Sequence, residues 1–143
     1  EWLAEVCEAP VSAPTRSLPR TELLSPGALL RVQVGAGSPL GWGLGERVNV
    51  IVDDPLGFET RPVGGGASRR VEARFPDEPL RVAGWTRGGE RLRRRAAVGV
   101  VAQGEGRLVL FAFTPHFRAQ TVGAFPLLYN AVLLEMAEPP AAR

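Results

Sequence analysis

The sequence predicts a strand-rich α/β domain closed by one C-terminal helix, and three observations carry this. Short stretches such as LLRVQV (29–34) and RVNVIV (47–52) alternate at the period of a strand. Two β-rich runs flank the short loop QGEG (103–106), which is a hairpin signal. Thr121 to Met136 carries Phe125, Leu128, Ala131, Val132 and Glu135 at helical spacing, and Pro139 and Pro140 stop it, so an amphipathic helix is expected there.

Along the chain, WLAEVC (2–7) suits the last turns of a helix, and the Pro-bearing run from Ala9 to Pro19 forbids its continuation. Leu29 to Val34 is the first strand, ended by Gly35, Gly37 and Pro39. SPLGWGLG (38–45) is a turn-rich connector that Trp42 is expected to anchor to the core. Arg47 to Val52 places Val48, Val50 and Val52 on one face, and Asp53 and Asp54 mark a turn. Gly57 to Arg70, with GGG at 64–66, has the composition of a mobile surface loop. Val71 to Phe75 and Leu80 to Trp85 read as short strands around the turn Pro76 to Pro79. Ala96 to Ala102 and Arg107 to Phe113 are the hairpin strands. Residues 1–20 are thus a helix remnant and Pro-rich linker, 21–137 the domain, and 138–143 a tail.

At 143 residues and 45% hydrophobic content the chain holds one ordinary core. All 17 basic residues are Arg, a composition of high-GC bacterial genomes, yet the net charge of +2 does not argue for nucleic acid. The longest apolar stretch, Leu108 to Phe113, is far shorter than the ~20 residues of a membrane-spanning helix. No basic or apolar leader pattern follows Glu1, so the chain reads as cut from something longer.

His116 is the only histidine and Cys7 the only cysteine, which leaves no complete zinc site and one conceivable nucleophile–base pair. Cys7 lies on the helix remnant, away from any nucleophile elbow, and reads as a small buried hydrophobe. His116 follows a strand in FTPHFRAQ, where α/β proteins place functional loops, although a lone His between Pro115 and Phe117 is more often structural, packing its ring or bonding a backbone carbonyl. Arg118 is a candidate anion ligand at the start of the last helix, or the partner of a local carboxylate. The cluster Arg87, Arg91, Arg93, Arg94 and Arg95 is the densest charge; Glu90 interrupts it, so a solvated loop is the first reading and an anion or nucleic-acid site the alternative. Gly41, Gly43 and Gly45 precede a strand and form no dinucleotide fingerprint.

The order PGALLRVQV (26–34), SPLGWGL (38–44), RVNVIVDD (47–54), VAGW (82–85) and GRLVLFAFTPHFRAQTVGAFPLLYNAVL (106–133) resembles the C-terminal glutamine-amidotransferase-like domain of bacterial zinc carboxypeptidases of the carboxypeptidase A type. The resemblance spans roughly residues 20 to 135, and FTPHFRAQ is its most distinctive stretch. It implies the later part of a flavodoxin-like, class I glutamine-amidotransferase-like domain. His116 stands near that family's catalytic His, but Arg118 stands two residues on, no acid follows until Glu135, and no nucleophile elbow is present. The implied role is a non-catalytic accessory domain of a hydrolase of the peptidase class, secreted or periplasmic. Its zinc would be held in an upstream peptidase domain, and no cofactor in this chain. The alternatives are a small amidase using Cys7 and His116, or an anion or nucleic-acid module using Arg91 to Arg95.

A flavodoxin-like sheet is covered on both faces, whereas one convincing helix is predicted here. The strands Val48–Val52 and Leu108–Leu110 are therefore expected to leave an apolar surface. The partner expected on it is an upstream peptidase domain of the same protein or a second copy.

Overall fold

The computed structural model describes residues 11–60, 68–103 and 106–137. The elements are β1 (Val11–Ser12), β2 (Ala28–Val34), β3 (Arg47–Val52), β4 (Glu59–Thr60), β5 (Arg69–Arg74), β6 (Arg81–Ala83), β7 (Ala96–Gln103), β8 (Gly106–Phe111) and the helix α1 (Phe125–Ala137). A curled sheet runs in the order β3-β2-β5-β7-β8, with β6 also on β2, and β1 pairs β4 separately. The protein is strand-rich with one C-terminal helix among the described residues, compatible with an α/β fold.

Each ladder between described strands is antiparallel, where a flavodoxin-like sheet would be parallel. The side-chain pattern follows from this pairing. In β3 Val48, Val50 and Val52 are buried while Arg47 and Asn49 face solvent, so the strand is buried on one face only, as antiparallel sheets permit. The sheet surface anticipated as an apolar patch at Val48–Val52 is consequently core on one side and polar on the other. The hairpin forms where QGEG places it, with Gln103 opposite Gly106.

The register breaks twice in β5. Val71 faces Gly99 and Ala73 faces Val98, so Glu72 is an extra residue on β5; Arg74 then faces Ala96, so Ala97 is extra on β7. A bulge re-aims side chains. Glu72 and Ala73 are both buried in consequence, as are Ala97 and Val98. The buried Glu72 carboxylate accepts from the Ser38 hydroxyl and pairs with the Arg70 guanidinium.

Several expectations shift. Trp42 does not anchor its connector: it is 81% exposed, and Leu40 of the turn Pro39–Gly41 enters the core instead. The small loop glycines let the backbone turn Leu40 inward while Trp42 swings out, Gly43 adopting a φ of +79°. Residues 61–67 of the expected mobile loop lie outside the described residues, but its ends are β4 and the start of β5. In the Pro-rich stretch, Thr15 is buried and its hydroxyl accepts the Gly57 N–H at 2.8 Å. Residues 1–10 and 138–143, which hold the expected helix remnant and the tail, lie outside the described residues. The last helix begins at Phe125 rather than Thr121, because Thr121 has a φ of +51° and Val122–Ala124 form a tight turn before Pro126 enters the first helical turn.

Helix α1 packs inward through Leu127 and Ala131, with Ala124 of the preceding turn buried beside them. Asn130 fixes its rotation: both protons of the side-chain amide are donated, one to the Leu40 carbonyl and one to the Trp42 carbonyl, each at 2.9 Å. Asn130→Ala removes both bonds and is expected to lower the unfolding free energy by about 1–3 kcal/mol. Urea denaturation checks this as a lower midpoint at unchanged slope.

Candidate functional site

FTPHFRAQ leaves the sheet after β8 and crosses to α1 as two short turns, Phe117–Ala119 and Val122–Ala124. Arg118, Ala119 and Thr121 have φ of +47°, +55° and +51°, the left-handed region that costs a residue with a Cβ about 1–2 kcal/mol. Three such residues within four positions form the densest backbone strain in the described chain. Strain of this kind persists where surrounding structure holds it, and it concentrates at functional loops. The buried Ala112, Phe113 and Pro115 on one side and Ala124 and Leu127 on the other supply that hold.

His116 is exposed, and its side chain makes no capping bond to the turn it precedes. Arg118 is exposed as well, with its guanidinium carbon 5.4 Å from the centroid of its neighbour Phe117. The helix α1 starts at Phe125, seven residues after Arg118, with the turn Val122–Ala124 between them. Cys7, the other half of the conceivable pair, lies outside the described residues. Asp53 and Asp54 are exposed in the turn leaving β3. Among the described residues no group of three or more His, Cys, Asp and Glu is placed to hold a metal, and no helix is long and apolar enough to cross a membrane.

The segment instead leads into an apolar surface. Val122 is 67% exposed, and on α1 Tyr129, Val132 and Leu133 are 57%, 57% and 59% exposed. With Phe125 these helix residues fall at i, i+4, i+7 and i+8, one stripe along the side opposite Leu127 and Ala131. Phe125 and Tyr129 meet edge to face, with centroids 6.1 Å apart, at the aromatic end of the stripe. The exposed Trp42 stands beside the same helix, held through its carbonyl by Asn130.

The helix is therefore apolar on both sides, not amphipathic as its spacing suggested. Helical spacing alone groups Val132 with Ala131, whereas the rotation set by Asn130 turns Val132 outward and leaves Phe125 half-buried. The signal present was FPLLYNAVLL itself, a run with Asn130 as its one strongly polar side chain. A helix apolar all round is ordinarily a buried helix.

No protein-family model, no curated protein and no solved structure matches the chain.

The strained turn yields its own test. Glycine at position 119 relieves the clash of the Cβ but adds freedom to the unfolded chain worth about 0.4–1 kcal/mol. Ala119→Gly is expected to be neutral or stabilising by up to about 1 kcal/mol, whereas Ala119→Val destabilises. Thermal unfolding of the two variants separates them.

Proposed function

We propose that this chain is a non-catalytic accessory and interaction domain that docks the outer face of α1 onto the catalytic domain of a zinc-carboxypeptidase-like protein. The observation that carries the reading is the exposed stripe of Tyr129, Val132 and Leu133, continued by the half-buried Phe125, with Val122 and Trp42 beside it. Covering a large apolar side chain contributes about 1.5–3 kcal/mol, and Tyr and Trp are favoured as interface anchors because they bury much area for few rotamers. Exposed apolar surface of this kind marks interaction sites.

The choice of occupant comes from the resemblance of residues 20–135 to a domain that follows a peptidase domain. In that reading Arg118 and His116 sit at the rim of the contact, and zinc chemistry belongs to the catalytic domain. The antiparallel ladders limit how far the resemblance reaches: parallel strands of a flavodoxin-like core would have to come from other residues of the protein.

Calorimetric titration of this chain against the catalytic domain encoded in the same gene tests the proposal. Association is expected, and Tyr129→Glu combined with Leu133→Glu is expected to weaken it at least about tenfold, the equivalent of 1.4 kcal/mol, without loss of helical circular dichroism. Absence of association, or an affinity indifferent to the double variant, refutes it. Sedimentation of the chain alone adds a second outcome: a dimer abolished by the same two substitutions assigns the face to a second copy and refutes the peptidase-domain reading.

A further inference from the structure

The arginine run does not lie along one solvated loop. Gly88, at a φ of +67°, begins the turn Gly89–Leu92, which buries Leu92 completely and sends the flanking guanidinium groups in different directions. Arg91 points outward to Glu22 at 2.8 Å. Arg93, Arg94 and Arg95 instead join Arg74 of β5 in lining one open pocket of about 360 Å3 beside Phe58–Thr60. Arg94 adopts a φ of +61°, and the turn is locked onto β5: its N–H is donated to the Phe75 carbonyl at 2.9 Å, and the Phe75 N–H to the Arg95 carbonyl at 3.0 Å.

Four arginines thus line a pocket whose only carboxylate residue, among the described lining residues, is Glu59. Glu59 pairs with Arg95, and Asp77 pairs with Arg94 at 3.3 Å. Arg74 donates one N–H to the Arg94 carbonyl at 3.2 Å. The Nε–H of Arg93 is buried with no hydrogen-bond acceptor among the described residues. A buried donor without an acceptor costs about 1–3 kcal/mol, and such a group calls for a partner.

We infer that this pocket binds a phosphate-class oxyanion carried by a small molecule, with Arg93 and Arg74 as donors from separate backbone segments, Arg94 and Arg95 being held by Asp77 and Glu59. A phosphate group presents three oxygens and nearly two negative charges, which suits guanidinium groups converging from several directions. A lone carboxylate presents two coplanar oxygens, which a single fork already satisfies. A nucleic-acid backbone needs a basic track, and here Glu22, Glu59 and Asp77 neutralise the outer members of the cluster.

Calorimetric titration of the chain with inorganic phosphate, and then with phenyl phosphate, at low ionic strength tests the inference. Saturable one-to-one binding of both is expected, weakening as salt rises. Arg93→Ala and Arg74→Ala are each expected to weaken it at least about tenfold, and Arg81→Ala, on β6, to leave it unchanged. Should Arg93→Ala fail to fold, the exposed Arg74 carries the test alone. The inference is overturned by absent phosphate binding, by wild-type affinity in Arg74→Ala, by succinate binding as tightly as phosphate, or by a single-stranded oligonucleotide displacing phosphate at lower concentration.

Discussion

A single register break in β5 organises most of this molecule. Inserting Glu72 opposite a β7 partner that has no room for it turns a carboxylate into the interior, where an unpaired charge is not tolerated. Ser38 and Arg70 answer it from opposite sides. Their roles differ. Arg70 stays largely in water, so it neutralises charge without itself being desolvated. Ser38 is held between two duties, donating its hydroxyl proton to Glu72 and accepting the Gly41 N–H at 3.1 Å, so the carboxylate fixes the turn Pro39–Gly41. A hydrogen bond to a charged group contributes about 1.5–3 kcal/mol. The carbonyls of Leu40 and Trp42 then meet Asn130, so the rotation of α1 descends from the bulge through the turn.

The same geometry bears on why so much of the exposed apolar surface lies on the helix, Val82 of β6 being the exposed large apolar side chain of the sheet among the described residues. Antiparallel pairing lets β3 show Arg47 and Asn49 to water, so the sheet needs cover on one face only. One helix cannot match that economy. With Leu127 and Ala131 committed inward, Tyr129, Val132 and Leu133 are turned outward, and no polar residue on that stripe offsets them.

How far the sequence discloses this depends on whether a feature is local. The alternation in RVNVIV and the two-sided pattern around QGEG are carried by neighbouring residues, and β3 and the β7–β8 hairpin appear where they were expected. Antiparallel direction is not local, because it depends on which strands become neighbours; resemblance along FTPHFRAQ says nothing about pairing. Glu72 was illegible for a related reason. In RRVEAR strict alternation puts Val71 and Ala73 inside and Glu72 outside, and only the β7 partner reveals the extra residue. Of the candidate residues, His116 and Arg118 lie on the segment after β8 as expected, but the later start of α1 follows the left-handed residues Arg118, Ala119 and Thr121, which side chains as ordinary as Ala119 do not announce. The arginine run was visible as charge; Arg74, from another strand, was not visible as its companion.

Register breaks also connect the two surfaces. Glu72 and Arg74 lie two residues apart on β5, with one extra residue on β5 before Ala73 and one on β7 after it. The first break turns Glu72 toward Ser38 and thereby toward the helix; the second brings Arg74 opposite Ala96, where its guanidinium reaches the Arg94 carbonyl and the pocket. An unbroken β5 would alternate Val71, Ala73 and Phe75 against Glu72 and Arg74, putting both charges on one face. The compensating bulges instead keep the ladder in step overall while aiming two neighbouring charges at different tasks. That is a reason for β5 and β7 to retain irregular pairing in the middle of the sheet, where regular pairing would otherwise be the more stable choice.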